Sequence, residues 1–396
     1  MFSSSITSYV IAIIAFLLHT SAYGQDRTIN AEINPGCNNC SLESTLVYIR
    51  AEGQTDTIHQ VWDFTRGIPT IILAVSGTNS TMQIAWDGIR PVNFTVNETV
   101  RYSFATAIDK IYEYNDLDDK GRMDEKSWIH SQSLKRVTWE LKEQIITEKE
   151  AMVRLHGTMH QNRSKDIIDI KLDLLPYKDY ATELPHLIHT ANSTLVDISL
   201  VNLTTSRYYN SSRFALHLVL VSTDSATDTM HNVMRKSLDD EHTPGVFEII
   251  EIKTPASLSS EAGGFVQFRP VGYTQRARNV GSSTIAHVSD FNRTSLPDWS
   301  TLKTFYRGFD EGNLLVQDMV VCFGEPGDGF YKRYNYTAWS YTIGYGAPPM
   351  EGFSLFVIVI ISVGLGVPVL LALSGVLYAV RRKYRHNAHT QLTNED

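Results

Sequence analysis

Residues Phe353 to Val380 run for 28 positions without a charged side chain, and no other feature of this chain narrows its folding choices so far. About 20 apolar residues suffice for a helix to cross ~30 Å of hydrocarbon, and within hydrocarbon the backbone must satisfy its own polar groups. The segment is therefore expected to be a single transmembrane α-helix. Arg381, Arg382, Lys383 and Arg385 follow at once, whereas Glu351 precedes it, so the positive-inside rule places residues 381–396 in the cytosol. A kink is expected at Gly364-x-Gly366-x-Pro368. Ser362-x-x-x-Gly366 and Gly375 thin the helix as small residues do at helix–helix contacts, although glycine is frequent in membrane helices generally.

A second apolar run, Tyr9 to Leu18, has signal-peptide length, with Ala22-Tyr23-Gly24 as small residues before Gln25. Residues 1–24 are accordingly expected to be removed as a signal peptide. Between the two apolar segments lie ten Asn-x-Ser/Thr sequons, at Asn39, Asn79, Asn93, Asn97, Asn162, Asn192, Asn202, Asn210, Asn292 and Asn335. Only seventeen asparagines occur there, and with roughly a sixth of positions Ser or Thr, chance would supply about three sequons. The excess marks a body built to carry glycans in a lumen or outside the cell. A net charge of -8 against 35 Lys plus Arg leaves no basis for nucleic-acid binding.

Short stretches of period-two alternation fill the body. In Ile168 to Leu174 the apolar Ile168, Ile170, Leu172 and Leu174 alternate with Asp169, Lys171 and Asp173, the pattern of a half-buried strand. Met82 to Trp86, Val137 to Leu141, Val196 to Leu200 and Phe247 to Ile252 alternate similarly, with Asp87-Gly88, Pro176, Pro244-Gly245 and Gly263-Gly264 as breaks. No run of twelve residues sustains a 3.6 period. The expected fold is mainly β: two antiparallel β-sandwich-like luminal domains followed by one transmembrane helix. Leu175 to Leu187 has two prolines and no periodicity, so the boundary is set near 183, giving domains 25–183 and 184–350 before the helix at 353–380.

The motifs that could carry chemistry are incomplete. Asp116-Leu117-Asp118-Asp119-Lys120-Gly121 begins like a calcium loop but has Lys120 at position five and Ser127 at position twelve, so the bidentate glutamate is missing. It reads as a solvated acidic turn. His156 and His160 have zincin spacing in HGTMH without its glutamate, and His186 and His189 fit less well. Gly324 to Gly329 is glycine-rich but acidic and lacks Gly-Lys-Ser/Thr, so it reads as a loop. No Gly-x-Ser-x-Gly elbow occurs. No catalytic, cofactor-binding or metal-ligating residue is therefore assigned.

Three cysteines are too few for a disulfide framework. Cys37-x-x-Cys40 sits in a turn-rich stretch without the βαβ context of a redox pair. A bridge within the pair would contribute about 2 kcal/mol at most, and one from either to Cys322 more than ~4 kcal/mol. Both pairings stay open, each leaving one thiol over.

Several stretches together resemble the glycosylated lysosomal membrane protein family. They are Ile58 to Phe64 (IHQVWDF) with the following IPTIILAVS, IAWDGI around Trp86, Lys236 to Ile249 (KSLDDEHTPGVFEI), Gly263 to Arg276 (GGFVQFRPVGYTQR), and YTAWSYTIGYGAPPMEGFS running into the apolar segment. The resemblance implies a lysosomal type I membrane glycoprotein without catalytic activity. It further implies an accessory subunit of a major-facilitator transporter that carries dipeptides, with the glycosylated lumenal part shielding that partner from proteases. One departure concerns sorting: the family tail ends in Tyr-x-x-apolar, whereas here Tyr378 has Arg381 at +3 and Tyr384 has Asn387. Within SLDDEHTP, Ser237 with Asp240 three residues on could cap a short helix. Two rival functions are a membrane-anchored lumenal hydrolase, which needs a convergent acid/base or nucleophile set, and a cell-surface adhesion or receptor ectodomain.

Overall fold

The structure, a computed structural model, describes residues 26–41, 43–124, 128–159, 166–237, 246–260, 262–350 and 355–392. The expected signal peptide, His160, Asn162, Ser127 and the acidic residues Asp239, Asp240 and Glu241 lie outside them. The chain divides into two compact units, 1–350 and 351–396.

The body is built of strands. In chain order they are β1 (Thr28–Ile33), β2 (Leu46–Glu52), β3 (Thr57–Asp63), β4 (Thr70–Ser76), a hairpin of β5 (Met82–Asp87) and β6 (Arg90–Val96), then β7 (Tyr102–Asn115) and β8 (Ile129–Ser133). There follow β9 (Thr138–Ile146), β10 (Ala151–Thr158), β11 (Ile167–Leu174), β12 (Asp179–Tyr180), β13 (Ile188–His189), β14 (Ser193–Val201), β15 (Ser212–Ser222) and β16 (His231–Lys236). Last come β17 (Glu248–Lys253), β18 (Gly264–Phe268), β19 (Val271–Tyr273), β20 (Ser283–Val288), β21 (Asn292–Arg293), β22 (Leu315–Phe323) and β23 (Tyr336–Tyr345). Helices of the described body are single turns or little more, at Pro255–Ser260, Thr301–Phe305 and Tyr331–Tyr334. The mainly β expectation holds.

Two large antiparallel sheets face each other. Sheet 1 runs β1-β2-β3-β4-β7-β15-β22, with β8 on the far end of β7 and β20 and β21 on β22. Sheet 2 runs β9-β10-β11-β14-β23-β18-β17-β16. The short β19 pairs with both β20 and β23 and so joins the sheets along one side. Their inner faces share one apolar core, in which Val47, Trp62, Leu73, Phe104 and Leu218 of sheet 1 meet Val153, Leu172, Ile198, Phe268 and Trp339 of sheet 2. The Trp62 indole N–H also donates to Thr194 Oγ1 across the sandwich at 3.2 Å. Strand pairing crosses residue 183: β7 lies beside β15, and β11 beside β14. The sequence halves therefore contribute to both sheets.

Strand β11 buries Ile168, Ile170, Leu172 and Leu174, as its alternation requires. Strands β3, β4 and β15 are instead buried along their whole length, because sheet 1 has a cover on its outer face as well. There Leu46, Tyr48, Ile72, Ala105 and Val219 pack beneath the β5–β6 hairpin and the turn Thr301–Phe305 in a second apolar cluster.

The C-terminal helix spans Leu355–Leu392 with Pro368 inside it, and Val357–Tyr384 has a mean hydropathy of 2.6, long and apolar enough to cross a membrane. It runs past the expected end at Val380 because Arg and Lys are good helix formers and their charge suits a helix C-terminus.

Candidate functional site

Of the sequon asparagines in the described residues, Asn39, Asn79, Asn93, Asn97, Asn202, Asn210, Asn292 and Asn335 are exposed. Turn geometry accounts for several of these positions. Asn79, Asn202 and Asn335 have φ of 62°, 53° and 51°, the left-handed region that asparagine tolerates best after glycine. The Asn97 side chain accepts from the Thr81 amide at 2.8 Å, drawing the sequons at 79 and 97 to the same end of the β5–β6 hairpin. The Asn202 amide donates to the Asn335 carbonyl at 2.8 Å, so these two sequons lie side by side. Asn192 differs: it is half-buried, and its Oδ1 accepts from Nε of the buried Arg27 at 2.5 Å.

The cysteines resolve to one bridge, Cys37–Cys40, leaving Cys322 as a free and buried thiol. Burial pushes that thiol up to about 11, which keeps it protonated and unreactive.

The acidic turn after β7 holds an arginine. Asp116 Oδ2 accepts from Arg213 Nε at 2.8 Å and from the Gly121 amide at 2.7 Å, and Asp119 Oδ1 and Asp328 Oδ1 accept from Arg213 Nη2. Arg213 and Asp116 are nearly inaccessible. Gly121, at φ +67°, packs so closely on Gly324 that a Cβ would stand 2.0 Å from its carbonyl oxygen. The acidic turn read as solvated thus buries Asp116 and closes with the glycine-rich loop on one guanidinium. Their partner lies about a hundred residues from Asp116 in the chain, on a strand of unremarkable pattern, so no local signal announced it.

Of the singled-out histidines in the described residues, His156 and His186 line one cleft and His189 does not. His156 sits on the outer face of sheet 2 with Nε2 3.7 Å from Asp169. His186 approaches the Ala181 carbonyl through Nδ1 at 2.7 Å, and His189 is buried, which pulls its pKa down to about 4. Among the described residues no group of three or more His, Cys, Asp or Glu could hold a metal ion.

The outer face of sheet 2 forms a charged cleft of about 960 Å³. Arg154 grips Asp169 through Nε and Nη2 at 3.0 and 2.7 Å, and Arg278 makes a two-pronged contact with Asp197 at 2.5 and 2.7 Å. Lys171 reaches Glu183 at 3.2 Å. These pairs satisfy one another, and the described cleft lining contains no sequon asparagine. On this face Asp169, Asp197 and Glu183 are thus held by guanidinium and ammonium groups.

Comparison with known proteins adds the family. The model of the glycosylated lysosomal membrane protein family matches residues 45–386. The chain is 28% identical over 389 residues to glycosylated lysosomal membrane protein B of Xenopus laevis, covering 94% of each. It is 28% identical over 375 residues to the glycosylated lysosomal membrane protein of Danio rerio, covering 90% of each. With the Homo sapiens protein of that name it shares 25% over 396 residues, covering 93% of this chain and 92% of that protein.

Proposed function

Because this chain belongs to the glycosylated lysosomal membrane protein family, we propose that it is a non-catalytic accessory subunit that stabilises a major-facilitator dipeptide transporter and shields it from lysosomal proteases. The observation that carries this reading is the exposure of sequon asparagines on the β5–β6 hairpin, on loops between strands and on β21. Glycans there would deny proteases the backbone of the body and of a neighbour beneath them. Binding only the folded partner also favours the folded state by mass action. The body would face the lumen and residues 381–396 the cytosol, in type I orientation, as the charge asymmetry around the helix favours. Tyr378 and Tyr384 lack an apolar residue at +3, so sorting to the lysosome would rest partly on a signal in the transporter.

Deleting the gene tests the proposal. The expected result is a fall in transporter protein with an unchanged transcript, restored by lysosomal protease inhibitors. Unchanged transporter abundance with loss of a hydrolytic activity would favour the anchored hydrolase instead.

A further inference from the structure

Four cationic side chains converge on one cleft of the body, and none of them makes an ion pair among the described residues. The cleft, about 460 Å³, is lined by Arg66, Arg90, Lys135 and Arg136 together with Thr65 and Trp299. Separate segments bring them together. The β3–β4 turn supplies Thr65 and Arg66, the start of β6 supplies Arg90, and the single 3-10 turn Leu134–Arg136 supplies the other two cations. Gly67, at φ +80°, sits so close to that last turn that a Cβ would stand 2.7 Å from the Lys135 carbonyl. Arg66 Nη2 donates to the Pro91 carbonyl at 2.7 Å and ties the hairpin in place. The cluster is assembled by packing, in a protein whose net charge is -8.

Two further features indicate a missing occupant. Arg66 Nε is buried and has no hydrogen-bond partner, whereas buried polar atoms are nearly always paired. Trp299 is 60% exposed yet holds φ at 71°, a region that a bulky residue enters only when its surroundings impose it. Burial lowers the affinity of the Arg66 guanidinium for its proton, with Asp63 opposing the shift and Arg90 and Arg307 adding to it. The acidic groups nearby are already engaged: Asp298 pairs with Lys303 at 2.6 Å, and Asp63 is buried against Thr301 and the Thr65 amide.

We propose that this cleft binds a sulfate or phosphate monoester carried on a saccharide, the oxyanion among the four cations and the sugar ring against the Trp299 indole. Arginine forks and a lysine approaching from several directions match a tetrahedral oxyanion. An exposed indole offers an apolar face to a sugar ring, in the usual mix of aromatic wall and few polar anchors. Sulfate esters, Arg and Lys all keep their charge in an acidic compartment, and a phosphate monoester keeps at least one negative charge there. The inference is independent of the transporter reading.

The test is calorimetric titration of the enzymatically deglycosylated full-length protein in detergent. The ligands are a sulfated disaccharide, its unsulfated counterpart, mannose 6-phosphate and inorganic sulfate. Expected is saturable binding of the sulfated or phosphorylated sugar, and the two together show which ester is preferred. The unsulfated disaccharide should not bind. The exposed-residue variant Arg90→Gln/Lys135→Gln/Arg136→Gln should weaken binding about tenfold or more with an unchanged melting temperature. Trp299→Ala should weaken the sugar but not inorganic sulfate. Full binding by the triple variant, equal binding of the unsulfated sugar, or no binding of any ester would each overturn the assignment.

Discussion

The two outer faces of the sandwich are built from strands of the same kind, and the chain treats them oppositely. Sheet 1 is covered: its outward Leu46, Ile72 and Val219 lie under the β5–β6 hairpin and the turn Thr301–Phe305, with Phe94 of the hairpin 5.6 Å from Phe305 between ring centres. Sheet 2 is open, and Arg154, Asp169, Lys171 and Asp197 stand at the corresponding outward positions. A strand buried on both faces needs apolar residues throughout, while a strand with one wet face can alternate. That is why β4 reads TIILAVS and β11 reads IIDIKLDL. It also places the hairpin sequons at Asn79, Asn93 and Asn97 on the cover of sheet 1, leaving the cleft of sheet 2 to charge pairs.

The comparison can be broken most severely by separating the halves. Residues 25–183 alone would lose β14, β15, β22 and β23 from the two sheets they help to build, and the fragment is expected to be unfolded by near-ultraviolet circular dichroism. A cooperative melt of the isolated fragment would show that the shared core is dispensable.

A smaller effect separates the faces directly. Leu302→Ala, beneath the cover of sheet 1 and wholly inaccessible, should cost about 2–5 kcal/mol. Asp169→Asn, whose partner Arg154 is well exposed, should cost about 1 kcal/mol or less. Urea denaturation measures both, and equal costs would mean that the hairpin is a loose appendage.

Acid should also distinguish them. His59 lies on the covered face, hydrogen-bonded to Tyr48 and Ser76, and burial pulls its pKa down to about 4. The unfolded chain takes up this proton near 6.5, so the contribution is full above that pH and is lost as pH falls toward 4, about 2 kcal/mol by pH 5. Asp173 of sheet 2 is pushed up to about 7 by burial. Its contribution runs the other way, present at low pH and lost as pH rises through 7. His59→Gln should flatten the loss between pH 7 and 5, and Asp173→Asn should steepen it. The opposite slopes would refute the assignment of these groups.

The smallest contrast is between two sequons. Asn93 is exposed on the hairpin, so Asn93→Gln should lower apparent mass by one glycan with stability unchanged within ~0.5 kcal/mol. Asn192 holds Arg27, so Asn192→Gln should cost about 1.5–3 kcal/mol. A melting curve for Asn192→Gln that superposes on wild type would remove that contact from the account.

What could be read from the chain before any fold was known is whatever local order carries. A long uncharged run makes a helix long and apolar enough to cross a membrane, alternation marks a half-buried strand, and Asn-x-Ser/Thr marks exposed positions, with Asn192 as the half-buried exception among the described sequons. These readings held because each depends on residues a few positions apart. Strand neighbours are another matter, since ladder hydrogen bonds are made by backbone and carry almost no sequence label. Only the burial of both sheets against one core brought β7 beside β15 across residue 183. The same packing turned an acidic turn into a clamp on Arg213 and gathered Arg66, Arg90, Lys135 and Arg136 from distant segments into one cleft. Such clusters are decided by which apolar faces must be covered, a property of the whole fold that no local stretch encodes.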